Sequence, residues 1–149
     1  MNRTASAWRG AAWTLALAAG SAAALVLARA GRLFENDDWL EAATGMAQTL
    51  SQRLTVEYNL VQNDAHFCHG AAGVAQCFRA LHRHLPTDEL WVAYQTWIDI
   101  TLNQMDDDLE NGIYVGKEIG LLEGMVGVAL TLLSAISEDD LRWDKALLL

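Results

Sequence analysis

A short run of chemically capable side chains lies near the middle of the sequence, at residues 66–70, which read His-Phe-Cys-His-Gly. Cysteine thiolate and histidine imidazole are zinc ligands, and the adjacent Cys68 and His69 can supply two of them from one loop. Taken alone, the pair is more often an ordinary buried thiol beside a surface imidazole. A prediction of metal binding therefore depends on the surrounding sequence.

Other titratable side chains near this run have simpler interpretations. His66 could be a third ligand, but we interpret it as a solvated loop histidine. Cys77 is predicted to be a small core residue. His82 and His84 lie near a helix end, where cations interact favourably with the helix dipole. The acidic run 106–108 is interpreted as part of a solvated loop, although acidic groups at an opening could attract a basic peptide.

The elements that must position these residues are all predicted to be helices, so the fold class is all-α. Asn36 and Thr87 are predicted N-caps, and apolar residues then recur every three or four positions. The last helix is apolar on nearly every side, which predicts burial on almost every side. The predicted helices cover about residues 37–54, 70–84, 88–105 and 124–136.

The sequence repeats with an offset of 54 residues, because 69–75 and 123–129 both read x-Gly-x-x-Gly-Val-Ala. Without Cβ atoms, the first turn of such a helix can approach neighbouring backbone or a ligand closely. Counting back about another fifty residues reaches the small residues 18–20. About three helix pairs with alternating inner and outer helices predict part of an α/α toroid.

Residues 11–30 are apolar and carry no charge before Arg29, and Arg3 and Arg9 precede them. The segment is similar to a signal peptide and is long enough to span a bilayer. A helix buried among other helices is the alternative. The repeat favours the buried helix, so we expect a cytoplasmic protein, with a membrane-anchored or exported helical protein as an alternative.

Composition narrows the function classes. The chain has 149 residues, of which 52% are hydrophobic, so one domain with a sizeable core is expected. Its 10 Lys and Arg residues against 19 Asp and Glu residues give a formal charge of −9, which argues against nucleic-acid binding. Cys68 and Cys77 do not form the disulfide framework of a secreted protein, and we interpret both as reduced thiols.

Three segments together resemble the C-terminal portion of lanthionine synthetase C-like proteins, the lanthipeptide cyclases. They are residues 68–73 (Cys-His-Gly-Ala-Ala-Gly), residues 121–128 (Leu-Leu-Glu-Gly-Met-Val-Gly-Val) and Trp143-Asp144. The resemblance covers about 25–149, whereas 1–24 diverge. It implies an α/α toroid of seven helix pairs, and residues 1–149 are therefore expected to be a single C-terminal fragment of that domain.

The resemblance also implies a zinc ion held by two cysteines and a histidine, of which the second cysteine and the histidine match Cys68 and His69. The first cysteine belongs to a Trp-Cys-Tyr-Gly motif, and its position falls on Leu17 or Arg9, depending on the alignment. Neither residue can act as a thiolate. The catalytic histidine and aspartate of the family belong to upstream repeats that these residues do not include, so no catalytic residue is assigned.

The family reaction is the addition of a peptide cysteine thiolate to a dehydrated serine or threonine, which forms a thioether ring. The resemblance therefore implies a dehydrated precursor peptide and a dehydratase as partners. We expect the 149 residues alone to be weakly active or inactive. A non-catalytic helical module that binds a peptide or a thiol is the other alternative.

Overall fold

The computed structural model describes residues 20–52, 64–139 and 141–147, and these residues contain five α-helices, a short 3-10 helix and no strand. The predicted all-α class is confirmed. Leu17, Arg9 and residues 11–19 of the apolar segment 11–30 lie outside the described residues. The helices are α1 (20–33), α2 (Asp37–Ser51), α3 (Ala71–His84), α4 (Asp88–Glu110) and α5 (Met125–Ile136), followed by the 3-10 helix Trp143–Leu147.

The helices pack as pairs, as expected for a fragment of an α/α toroid. Helix α3 packs against its outer partner α4 and against the next inner helix α5, while the outer helices α2 and α4 contact each other. Large side chains such as Phe78 and Trp97 fill the core, and small residues such as Ala24 and Ala43 let α1 and α2 pack closely against it. The predicted helix-pair architecture is confirmed.

The predicted helix starts are correct at both capped positions. The Asn36 side chain accepts a hydrogen bond from the Trp39 N–H at 3.1 Å, and the Thr87 hydroxyl accepts one from the Leu90 N–H at 3.4 Å. These bonds satisfy backbone donors that a helix start leaves without intrahelical partners.

Helix α4 continues through Glu110, so the interpretation of residues 106–108 as a solvated loop is wrong. Asp108 lies on the inner side of the helix and is only 4% exposed. It is stabilised there by hydrogen bonds from the Ala65 N–H at 2.8 Å and the Tyr114 hydroxyl at 2.9 Å. A buried carboxylate with such partners is tolerated inside a helix. The run of acidic residues in the sequence does not show that these partners exist.

Helix α5 is buried on one side only, so the prediction of burial on almost every side is wrong. Leu133 is 48% exposed and Ile136 is 82% exposed. The described chain packs α3 and α4 against the side of α5 that carries its buried residues, Gly127, Val128, Thr131 and Ser134. The hydropathy of a helix shows that all of its sides could be buried, but it does not show which other elements pack against them.

Helix α1 contains the described part of the apolar segment, residues 20–30. Its Ala24, Leu25 and Ala28 are buried in the main core, whereas Val26 is 65% exposed. None of the helices within the described ranges is both long and apolar enough to cross a membrane.

His84 lies in the last turn of α3, as predicted, but its ring accepts a hydrogen bond instead of acting as the expected cation. Its Nε2 accepts a hydrogen bond from Arg29 Nε at 3.1 Å, and its carbonyl accepts one from Arg32 at 2.6 Å. Burial lowers the pKa of His84, and the nearby guanidinium groups lower it further. His82 instead packs against the ring of Trp91, with centroids 5.3 Å apart.

The C-terminal 3-10 helix is fastened to α3 through a fully buried carboxylate. Asp144 accepts a hydrogen bond from the Gln76 amide and lies 2.8 Å from Arg83 Nη1. The neighbouring Trp143 donates to Ser134 Oγ at 2.8 Å and packs its ring edge-to-face against Phe67, with centroids 5.3 Å apart. The end of the described chain therefore supports the loop that precedes α3.

Candidate metal centre

The repeated glycines allow the preceding loop to cross the first turn of each inner helix. A Cβ atom on Gly73 would lie 2.0 Å from the Phe67 carbonyl oxygen, and one on Gly127 would lie 2.0 Å from the Leu121 carbonyl oxygen. The two contacts involve residues that are 54 positions apart, as the sequence repeat predicts. Only glycine permits such an approach, so the paired glycines hold two equivalent loops against their helices.

In the first repeat, this arrangement folds residues 64–70 into a tight loop, here called the ligand loop. The Ala71 N–H donates to the Asp64 carbonyl at 3.0 Å, and the Gly70 N–H donates to the His66 carbonyl at 3.0 Å. The Asp64 side chain also accepts a bond from the His66 N–H, at 3.1 Å between Oδ1 and the nitrogen. The bond from Ala65 to Asp108 anchors the loop to α4.

The fold of the ligand loop brings three metal-ligating side chains together. Asp64 Oδ2 lies 3.0 Å from His66 Nδ1 and 3.4 Å from His69 Nε2. One ligand atom from each of the three residues lies within 4.8 Å of the others. The Asp64 and His66 side chains are buried, whereas the His69 side chain is 22% exposed, so the group opens to solvent at His69.

Three of the four imidazole nitrogens in this group are buried without a hydrogen-bond partner. Both ring nitrogens of His66, and Nε2 of His69, are buried without one. His66 Nδ1 and His69 Nε2 lie close to Asp64 Oδ2, but neither contact is a hydrogen bond. Ligand atoms around a tetrahedral zinc ion, each about 2.1 Å from it, lie about 3.4 Å apart. The residues present therefore fit a bound divalent metal ion.

Tyr114 and Asp108 support the buried side of the group. The Tyr114 ring packs edge-to-face against His66, with centroids 5.1 Å apart, and its hydroxyl donates to Asp108 Oδ2. Burial, followed by the hydrogen bond to Asp108 and the nearby carboxylate charges, raises the pKa of Tyr114. The neutral phenol is thus favoured, and it holds the His66 ring in place by contact.

The two predicted ligands have different surroundings. His69 belongs to the three-residue group, whereas Cys68 is exposed and is not one of its members. The Cys68 N–H donates to the Leu122 carbonyl at 2.9 Å. Zinc binding by Cys68 and His69 stays a prediction.

Sequence reasoning misjudged one member of the group and missed another. The interpretation of His66 as a solvated loop histidine is wrong, because the residue is 3% exposed. Asp64 was not singled out. The available signal was the spacing Asp-x-His-x-x-His over 64–69, which the second repeat does not share, since Glu118, Gly120 and Glu123 occupy the corresponding positions.

The fold and the site together define a class of protein, an α/α helix-pair toroid fragment with a candidate metal centre in the loop before an inner helix. The sequence model of lanthionine synthetase C-like proteins matches residues 18–148. The chain therefore belongs to the lanthionine synthetase C-like family, as its motifs indicate. Comparisons with curated proteins and with solved structures find no match.

Proposed function

We propose that the chain is part of a zinc-dependent lanthipeptide cyclase that acts in the cytoplasm on a dehydrated precursor peptide, with Cys68 and His69 as zinc ligands. The observation that carries the proposal is the position of His69 Nε2, which faces other ligand atoms at the start of α3. The family match over 18–148 supports the assignment of the reaction.

The reaction forms a bond between a peptide cysteine sulfur and the β-carbon of a dehydrated residue, and a proton is added to the α-carbon. A free thiol with a pKa of about 8.5 is mostly protonated at neutral pH. Bound zinc would supply stabilisation of the thiolate. The role of the chain itself is to hold the ligand loop rigid through the Asp64 and Asp108 hydrogen bonds and to leave the His69 side of the group open.

The test of the proposed ligands is zinc affinity, measured by chelator competition on the purified chain and its Cys68→Ala variant. We expect Cys68→Ala to lower the affinity at least about tenfold, because a thiolate ligand is lost. Cys77→Ala is the matched control and should bind zinc like the parent chain. Equal affinity in the Cys68→Ala variant and the parent would contradict the role of Cys68.

We also propose that the 149 residues do not form rings by themselves, since Leu17 or Arg9 stands where the family has its first cysteine. A dehydrated peptide incubated with the zinc-loaded chain should keep all of its free thiols. Thiol alkylation followed by mass spectrometry measures this. Loss of alkylatable thiol above the rate without protein would refute the proposal.

A non-catalytic peptide-binding module is the second candidate, and a groove beside the metal centre favours it. Apolar and aromatic side chains line the groove, among them Leu109, Tyr114, Val115 and Met125. Peptide binding that persists after zinc removal and in a His69→Ala variant would support this candidate. Binding that requires zinc would support the cyclase proposal instead.

A further inference from the structure

We propose that Asp64 and His66 complete the metal site to which His69 belongs, so that one carboxylate and two imidazoles hold the ion without the first cysteine of the family. The inference deepens the proposed function and rests on it for the choice of zinc. It concerns residues that the family resemblance does not assign.

The burial of His66 is the first argument. An imidazole whose side chain is only 4% exposed ordinarily has hydrogen-bond partners for its ring nitrogens, because leaving such groups unsatisfied is costly. Neither nitrogen of His66 has one, although Asp64 Oδ2 lies only 3.0 Å from Nδ1. A metal ion shared with Asp64 and His69 would satisfy the nitrogen that faces this carboxylate.

The second argument is that separate contacts fix each ligand. The Asp64 side chain is oriented through Oδ1, which accepts the His66 N–H and leaves Oδ2 facing the two imidazoles. The ring of Tyr114 holds His66, and His69 directly precedes Gly70, the N-cap of α3. Ligands held in this way lose little conformational freedom when they bind a metal.

The second repeat shows that the helix-pair fold does not itself require these side chains. Its equivalent loop crosses the first turn of α5 in the same manner, with the Leu121 carbonyl against Gly127. That loop carries Glu118, Gly120 and Glu123 at the positions of Asp64, His66 and His69, and therefore has no imidazole. The Asp-His-His group is specific to the first loop.

The donor set selects the class of metal. Two imidazoles and a carboxylate favour zinc and similar transition metals over magnesium and calcium, which prefer oxygen ligands. Three protein ligands leave one position of a tetrahedral ion for the Cys68 thiolate, as proposed above, or for an external thiolate. The opening at His69 is the side from which either sulfur can approach.

The test measures zinc affinity in the Cys68→Ala background, so that the thiol cannot contribute. We expect this variant to bind one zinc ion, and we expect added Asp64→Asn or His66→Gln to lower the affinity at least about tenfold further. Asp64→Asn keeps an oxygen that can accept the His66 N–H, and helix content measured by circular dichroism checks the fold of each variant. Glu118→Gln, at the equivalent position of the second repeat, is the matched control and should have no effect.

Cobalt(II) spectra separate the inference from the proposed function. The Cys68→Ala chain should bind cobalt without a sulfur-to-metal charge-transfer band, whereas the parent chain should show that band if Cys68 is a ligand. Zinc affinity unchanged by both Asp64→Asn and His66→Gln would overturn the inference even if Cys68 binds metal. Lower affinity in both, with no charge-transfer band in the parent chain, would confirm the inference and refute the proposed role of Cys68.

Discussion

Asp64 has both a structural and a ligand-facing role. Its carbonyl accepts the N–H of Ala71 at the start of α3, and its Oδ1 accepts the N–H of His66. Its Oδ2 faces the two imidazoles of the candidate metal centre. The two oxygens of the carboxylate therefore have different partners. Asp64→Asn removes the charge but keeps an oxygen that can accept the His66 N–H, so the effect of charge can be measured without a change in loop geometry.

The two cysteines should differ strongly in reactivity. Cys77 is half-buried and Cys68 is exposed. Desolvation raises the pKa of Cys77 to about 11, with an opposing contribution from a hydrogen bond with Ser21. Iodoacetamide at pH 8 should therefore modify Cys68 at least about tenfold faster than Cys77 in the folded, chelator-treated chain, because the thiolate is the nucleophile. Mass spectrometry of proteolytic peptides measures both rates.

The same reaction in urea provides the control for the two thiols. Unfolding removes the burial of Cys77, so the two rates should then become similar. Equal rates in the folded chain would contradict the described position of Cys77.

The metal centre could be predicted from the sequence only in part. The resemblance identified Cys68 and His69, since Cys-His-Gly is a contiguous motif. Asp64 and His66 come together through a non-periodic turn, which the crossing of Phe67 over Gly73 stabilises. No hydropathy pattern encodes such a turn, and the position of His66 in a loop between helices wrongly suggested exposure to solvent.

The close packing of the ligand loop on α3 depends on a glycine of that inner helix. Gly73→Ala should destabilise the chain by about 1–3 kcal/mol, because the added methyl group would overlap the Phe67 carbonyl and force the ligand loop away from α3. The zinc affinity should fall as well. Urea unfolding and chelator competition measure the two effects.

Gly45→Ala is the matched control for this substitution. Gly45 lies inside α2, and no atom comes within 4 Å of its added methyl group. Replacement should stabilise the chain by about 0.5–1 kcal/mol, since alanine loses less backbone entropy in a helix. A Gly73→Ala variant as stable as this control would contradict the close approach of the loop.

The first residues of the helices were easier to predict than their last residues or the exposure of their side chains. Asn36 and Thr87 identify starts because an N-cap is a local interaction between a side chain and the next turn. The end of α4 depends instead on Asp108, which is buried by contacts with residues distant in sequence. The exposure of α5 depends on which elements lie beside it.

The stability of the whole molecule should depend on Asp144, because this residue joins the end of the described chain to α3. Asp144→Ala should lower the free energy of unfolding by about 3–5 kcal/mol, the usual cost of removing one partner from a buried ion pair. The carboxylate is 0% exposed, with Arg83 Nη1 at 2.8 Å. Urea unfolding followed by circular dichroism measures the change.

A nearby exposed acid is the control for this substitution. Asp139 lies between α5 and the 3-10 helix, and Asp139→Ala should change stability by no more than about 0.5 kcal/mol. Similar unfolding midpoints for the Asp144→Ala and Asp139→Ala variants would show that the buried carboxylate does not fasten the C-terminal segment.

The overall arrangement was predictable because it repeats. An offset of 54 residues between two glycine motifs indicated successive inner helices, and α3 and α5 pack against each other. The core between α3 and α4 follows from the apolar positions Leu90, Tyr94 and Trp97, which lie on one side of α4. A sequence repeat indicates that elements far apart in the chain have equivalent positions in the fold, whereas the sequence of a single turn gives only local information.

The hydrogen bond from Cys68 to Leu122 joins equivalent positions of the two repeats, which are 54 residues apart. The loop before α5 thus contacts the backbone between the ligands and cannot be displaced without disturbing them. If a molecule that shifts Leu122 alters the affinity of the proposed site for metal, thermodynamic linkage requires metal to alter the affinity for that molecule by the same factor. The backbone of the loop before α5 is thus one of the contacts that fix the position of the ligand loop.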